Sequence, residues 1–391
     1  MGTTIQKSGR VKAIDVLRGM TVAGMILVNN PGSWGHMYAP LRHAPWNGLT
    51  PTDLIFPFFL FIMGVSMYIS MSKQNFEPTP QLYRKIFKRT ILLILIGWLV
   101  GTFSYFLRMW YVLGEDPSLT FWQRLGQSLW SLPTLRILGV FPRLGLTYCI
   151  AALLTLWLTR KDLVKVSMIV LVLYAVLLLI GNGNGYEYGE ANILARVDRA
   201  ILTPAHMYSD KGVDPEGILS TIPASIQVVV GVLVGHVVMN MRGDSRLVRL
   251  FVIGVSMALV GYILGWWLPV NKKVWSPTFV FVTCGLGTTL LALLIYTIDH
   301  KGHEKWTRFF APFGVNPLFT YLASTVLALL FLRIRIPTTD GFTTVASWGY
   351  QSLFALFEIP KLASFVYSLI FLLINWGLGY ILYKKKIYIK L

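Results

Sequence analysis

Charge is scarce in this sequence. Only 13% of its 391 residues are Asp, Glu, Lys or Arg, about half the share of an ordinary soluble domain, and acids are the rarer sign, 17 against 35 bases. Cysteine is almost absent. Cys149 and Cys284 both fall inside apolar runs, so neither a structural disulfide nor a cysteine-held metal is expected. The chain has no Asn-x-Ser/Thr triplet, which removes one marker of the secretory pathway. The first apolar stretch carries Asp15 and Arg18 and ends in no small-residue cleavage site, so a cleavable signal peptide is not expected. No internal repeat suggests the inverted halves common among transporters.

What the sequence has in excess is apolar surface, at 55% hydrophobic residues. Charge-poor runs long enough to cross a bilayer recur near 14–32, 53–71, 87–107, 138–158, 164–181, 218–240, 248–268, 277–298, 313–332 and 361–383. They are continuously apolar rather than alternating, which excludes a β-barrel. The piece at 342–357 is apolar but short and contains Trp348, so it reads as an interfacial or re-entrant helix. The expected fold is an all-α polytopic transmembrane bundle of about ten spans, a single domain over 1–391. The formal charge of +18 does not imply nucleic acid. On the ten-span map, 22 of the 35 bases, including Lys7, Arg10 and Lys390, fall at the termini and in the even loops, which places both termini in the cytoplasm.

Polar groups inside such a protein are informative because their burial is costly unless a partner or a function retains them. Five polar stretches sit at the outer ends of the expected spans: Asn29 with Asn30, HAPWNGLTPTD at 43–53, LRILGVFPRLG at 135–145, DPEGILSTIP at 214–223 and PVNKKVWSPT at 269–278. Together they offer Trp46, Asn47, Arg143, Glu216, Asn271, Lys272 and Trp275 as candidate binders of substrate or donor. At the inner ends, Asn316 precedes Pro317 in GVNPLFTY and is a further candidate, equally well explained as a helix cap. His43 is the sharpest candidate, since histidine alone titrates near neutrality unperturbed; its bland reading is an interfacial side chain bonded to a loop. Asp53 either orients an imidazole or caps the second span behind Pro51-Thr52. Asn29 either donates to a developing oxyanion or ends a helix. Arg143 and Lys272 suit an anionic group, against the default of snorkelling. From the residues alone, an acyltransferase and a transporter of amino sugars or cell-wall sugar fragments both fit.

RVKAIDVLRG, ILVNN, HAPWNGLTPTDLIFPFFLFIMGVSM, LRILGVFPRLGLTY, DPEGILSTIPA, LPVNKKVWSPTFV and FGVNPLFTY together resemble the heparan-α-glucosaminide N-acetyltransferase family of transmembrane acyltransferases, over nearly the whole chain. The resemblance implies transfer of acetyl from cytosolic acetyl-CoA, as donor substrate and without a metal, to the amine of a terminal glucosamine on the outer or lumenal side. It implies His43 as the catalytic histidine, with Asn29 assisting and Asp53 as the acidic residue opening the second span. Two departures stand out: a longer segment between Asn29 and His43 than in the animal enzymes, and Pro142 where many relatives have Gln. The large N-terminal lumenal domain of some relatives is not expected. A bacterial inner membrane is the expected location, with an acceptor other than heparan sulfate. The expected partners are that amino sugar, CoA, the lipid bilayer and a second copy of the chain in a homodimer.

Overall fold

A computed structural model describes residues 11–180, 185–208, 212–338 and 341–389; Lys7, Arg10, Lys390 and the opening of the Gly/Asn-rich turn at 181–184 lie outside the described residues. The helices are α1 (Lys12–Asn29), α2 (Ile55–Ser72), α3 (Pro80–Val112), α4 (Phe121–Leu129), α5 (Val140–Trp157), α6 (Arg160–Ile180) and α7 (Ile193–Leu202). They continue as α8 (Ile218–Asn240), α9 (Gly243–Leu264), α10 (Pro277–Leu294), α11 (Ala311–Val315), α12 (Pro317–Arg333), α13 (Val345–Phe357) and α14 (Pro360–Lys384). The chain is an all-α polytopic protein. Its expected spans coincide with helices whose ends move by a few residues, apart from α3, which at 33 residues overruns its expected span at both ends.

Among the described residues, 8 helices are long and apolar enough to cross a membrane: α2, α3, α5, α6, α8, α9, α10 and α14. The other two expected spans correspond to α1 and α12. Lys12, Asp15 and Arg18 dilute the apolar run of α1, and Asp15 pairs with Arg18 one turn away; α12 has only 17 residues.

Burial separates two layers. Helices α1, α2, α5, α8 and α10 hold the core, with Leu17, Ile26, Leu60, Phe61, Ile62 and Phe279 sealed from solvent. Helices α3, α6, α9 and α14 turn Leu99, Leu173, Val248, Val252 and Leu373 outward, the apolar stripe that a lipid-facing helix presents. Lipid tails are as apolar as leucine, so burial alone does not pull helices together there; close backbone packing does. Gly64 of α2 and Gly231 of α8 face each other, and a Cβ on Gly64 would overlap the carbonyl oxygen of Val228 while one on Gly231 would overlap that of Phe61.

Two elements depart from the sequence reading. Arg335–Thr338 (β1) and Gly341–Thr344 (β2) pair antiparallel, with Arg335 opposite Thr344. The strands are four residues each, too short to leave an alternating pattern, and β2 takes the first residues of the helix expected at 342–357. That helix, α13, starts at Val345 with the Thr344 hydroxyl accepting the Ser347 N–H.

Helices α2, α5, α8 and α10 all begin at the end of the bundle where α1 finishes. The four segments that lead into them touch one another there, as the contacts below establish.

Candidate active site

The site is built on the segment leading into α2. Thr50 opens a reciprocal cap, its hydroxyl and N–H both turned to Asp53, and Pro51 suits the first helical position because its missing N–H is not needed. Asp53 is 1% exposed. Its Oδ2 accepts the N–H of Ala44 at 3.0 Å and of Thr50 at 3.2 Å, and lies 2.9 Å from the Thr50 hydroxyl. Its Oδ1 lies 2.7 Å from His43 Nδ1. A buried carboxylate with both oxygens engaged is a fixed reference for the imidazole.

Lys272 approaches the same pair from the segment leading into α10, with Nζ 3.0 Å from His43 Nδ1 and 3.3 Å from Asp53 Oδ1. One nitrogen cannot both donate to the carboxylate and accept from the ammonium. The shorter contact to the full charge decides: Nδ1–H donates to Asp53, and Lys272 pairs with the carboxylate. Nε2 then carries the lone pair, has no hydrogen-bond partner among the described residues, and belongs to a side chain 43% exposed. The Lys272 side chain is mostly covered, and burial pushes its ammonium below the usual lysine value against the opposing pull of Asp53 and Glu216.

Asn271, one residue before, is sealed from solvent. Its amide donates to Asn47 Oδ1 at 2.9 Å and its Oδ1 accepts the Val274 N–H at 3.1 Å, locking the α2 and α10 segments together. Gly48, at φ 109°, donates its N–H to the Val270 carbonyl at 2.8 Å across the same seam, a conformation that favours glycine. Trp46 donates its indole N–H to the Tyr186 carbonyl at 2.6 Å and packs on Tyr188.

Trp275 is the buried floor. Its indole N–H donates to Gln227 Oε1 at 3.0 Å, and Gln227 in turn donates to the Pro57 carbonyl at 2.9 Å. Over the indole ring lies the Arg143 guanidinium, 4.9 Å from its centroid. Arg143 is fully buried and donates to the Pro215 carbonyl at 2.6 Å and to the Ser220 hydroxyl. Its planar fork therefore clamps the start of α8 rather than presenting itself to a ligand.

The segment leading into α8 carries the second carboxylate group of the site. Arg136 spans Asp214 and Glu216, lying 2.6 Å from Glu216 Oε2. Glu216 adds to the negative field around Lys272, and the Tyr321 hydroxyl lies near the Asn29 side chain at the end of α1. The structure thus brings His43, Asp53 and Lys272 into contact, with Asn47 and Trp46 on the same stretch before α2, Glu216 on the adjoining segment into α8 and Asn29 at the end of α1. Arg143, Asn271 and Trp275 belong to the same end of the bundle but are enclosed as scaffold.

Asn316 is not part of this group. It sits beside Gly314, whose carbonyl accepts the Arg18 guanidinium, near the start of α1 rather than its end. Fully buried, it donates to the Ile387 carbonyl at 2.8 Å and accepts the Ile389 N–H at 2.9 Å, so both ends of its amide hold the C-terminal tail.

Sequence reasoning did not single out Tyr321 as a neighbour of Asn29, or Thr50 as a support of Asp53, although both lie inside the quoted strings. Asp198 on α7 carried no signal at all. It is fully buried, accepts the Ile218 N–H at 2.8 Å at the start of α8, and burial raises its carboxyl to about 6.

A family model described as heparan-α-glucosaminide N-acetyltransferase, catalytic, matches residues 10–251. The human protein named heparan-α-glucosaminide N-acetyltransferase is 28% identical over 380 residues, covering 82% of this chain, and its mouse counterpart is 26% identical over 386 residues, covering 84%. The chain spans about half the length of these curated relatives, 54% and 55%. The matched stretch contains His43, Asp53, Arg143 and Glu216, and on its extent the chain belongs to the heparan-α-glucosaminide N-acetyltransferase catalytic family.

Proposed function

We propose that this chain is a membrane N-acetyltransferase that passes the acetyl group of acetyl-CoA to the amine of a glucosamine-type sugar, with His43 as general base. One observation carries the reading. An exposed imidazole has Nδ1 held by a buried carboxylate at 2.7 Å and Nε2 free, the arrangement in which a histidine takes a proton. Family membership and the names of the human and mouse relatives support the reaction class.

The ammonium of such a sugar is a weak acid of the α-amino kind, so its deprotonation needs no strong base. Nε2 of His43 takes one proton from the ammonium. The freed amine attacks the thioester carbonyl, and Asn29 steadies the oxygen on which charge develops. The C–S bond breaks, the C–N bond remains, and the second proton of the nitrogen leaves with the CoA thiolate to give the thiol. The proton on His43 returns to solvent. Asp53 keeps the imidazole in the productive tautomer throughout. Thioesters are already activated towards amines, so no acetyl-histidine is required.

The same reading takes the chain as one membrane domain of ten spans, with donor on the cytoplasmic side and acceptor on the other. The concentration of bases at the termini and even loops supports that orientation, and a bacterial inner membrane is its setting. The test uses detergent-solubilised protein with [¹⁴C]acetyl-CoA and glucosamine. Labelled N-acetylglucosamine formed without any sealed compartment supports the enzyme; absence of transfer, with glucosamine uptake appearing only in sealed vesicles, replaces it with a transporter.

A further inference from the structure

We propose that Glu216 is the anchor for the ammonium of the acceptor, an inference that rests on the acetyltransferase reading and names which carboxylate at this end of the bundle selects an amine. Three carboxylates come together at this end of the bundle, and their hydrogen bonds divide them. Asp53 has both oxygens engaged and is 1% exposed. Asp214 is fully buried; its Oδ2 accepts the Tyr208 N–H at 2.9 Å, its Oδ1 accepts the Glu216 N–H at 2.9 Å, and both oxygens face Arg136. Glu216 differs. Its Oε2 takes the Arg136 guanidinium, its Oε1 has no hydrogen-bond partner among the described residues, and its side chain is 16% exposed.

The charges around it make that oxygen a cation site. Arg136 is shared, and two of its contacts go to Asp214, so it only partly neutralises Glu216. Arg143 is enclosed against backbone carbonyls and Ser220. Lys272 is paired with Asp53. What remains is one oxygen of a mostly covered carboxylate, where a charge-assisted hydrogen bond is stronger than in water.

Position decides which cation it takes. Glu216 follows Pro215, whose carbonyl holds Arg143; Arg143 lies over Trp275, and the Trp275 backbone N–H donates to the carbonyl of Lys272, the neighbour of His43. A ligand cation on Oε1 therefore sits at the same end of the bundle as the base. The acceptor amine arrives near neutrality largely as an ammonium, with three donors. Glu216 accepts one of them, and another faces Nε2. Asp53 orients the base, and Glu216 holds what the base deprotonates. A sugar bearing a hydroxyl in place of the amine forfeits the charged contact, which makes Glu216 the residue that selects amines.

The test measures binding of glucosamine and of glucose to the full-length protein saturated with CoA, in the wild type and in Glu216→Gln, by titration calorimetry. CoA affinity reports the fold of each variant. Glu216→Gln is expected to weaken glucosamine by about 10- to 100-fold, the range for a lost hydrogen bond to a charged group, and to leave glucose within about twofold. If the Gln variant loses CoA binding, the comparison moves to Glu216→Asp, which keeps the charge and withdraws it by one methylene. Weaker glucosamine with unchanged glucose supports the proposal there too. An equal loss for both sugars, or no loss for either, overturns it. Acetyl transfer by the wild type, measured alongside, separates the two readings: transfer with an unaltered amine preference in the variants removes Glu216 alone, whereas neither transfer nor glucosamine binding removes the acetyltransferase reading and this inference with it.

Discussion

An imidazole exposed on one edge and tied on the other to a buried carboxylate is a small arrangement with a large demand on its surroundings. Asp53 meets that demand by accepting from Ala44, Thr50 and His43. Asp53→Asn keeps the shape but turns an N–H towards groups that donate, so one donor is left unsatisfied at about 1–3 kcal/mol and the imidazole loses its fixed tautomer. The expected result is a fall in turnover of at least about 10²-fold with CoA binding retained, read by steady-state kinetics beside calorimetry; turnover within twofold of wild type contradicts the assigned role. Asp198 gives a prediction in pH. Its carboxyl is raised from 3.8 to about 6 in the folded chain, so the folded state binds the proton more tightly than the unfolded one. Stability is therefore greatest below the unfolded value, declines as pH rises through that window, and is level above it, by about 3 kcal/mol in all. Asp198→Asn keeps the oxygen that accepts the Ile218 N–H and should flatten the decline in melting temperature between pH 4 and 6; an unchanged profile contradicts it. Of these residues His43, Asp53 and Lys272 were legible, because polar groups stand out against apolar spans. Arg143, Asn271 and Trp275 were legible as polar or aromatic but not as enclosed, since burial depends on neighbours far off in the chain, as Pro215 is from Arg143, 72 residues away.

At the scale of the helix, the bilayer did most of the specifying. A span needs about 20 apolar residues whatever its partners, and α8 therefore begins and ends where the sequence placed it, at Ile218 and Asn240. Helix ends beyond the apolar run, such as the 33 residues of α3, answer to capping by Thr79 and to packing instead. The β1–β2 pair was illegible for a further reason: a four-residue strand owes its existence to the strand beside it. Which helices touch was likewise open until the glycines were seen in pairs. Gly64→Ala forces a methyl group onto the Val228 carbonyl, and backbone yields less readily than a side chain. Overpacking of this kind costs about 1–3 kcal/mol, so the variant should melt below wild type in detergent, whereas Gly126→Ala, with open space around it, should not. Equal melting temperatures for all three proteins contradict the close α2–α8 contact.

For the molecule as a whole, the proposed orientation places donor and acceptor in different compartments. Single cysteines introduced at His36 and His206 are expected to react with an impermeant maleimide added outside intact cells, and cysteines at Lys73 and Lys301 only after permeabilisation; the opposite pattern reverses the protein in the membrane. The central claim is that His43 moves the proton that lets an amine take the acetyl group, and it is tested most directly by the rate at which purified wild-type and His43→Ala proteins make N-acetylglucosamine from acetyl-CoA and glucosamine. Loss of a positioned base predicts a fall of about 10²–10⁴-fold in turnover with acetyl-CoA affinity largely kept. An unchanged rate in His43→Ala contradicts the account, and so does a labelled acetyl group that rests on His43 of the wild type when acceptor is withheld and departs when it is added.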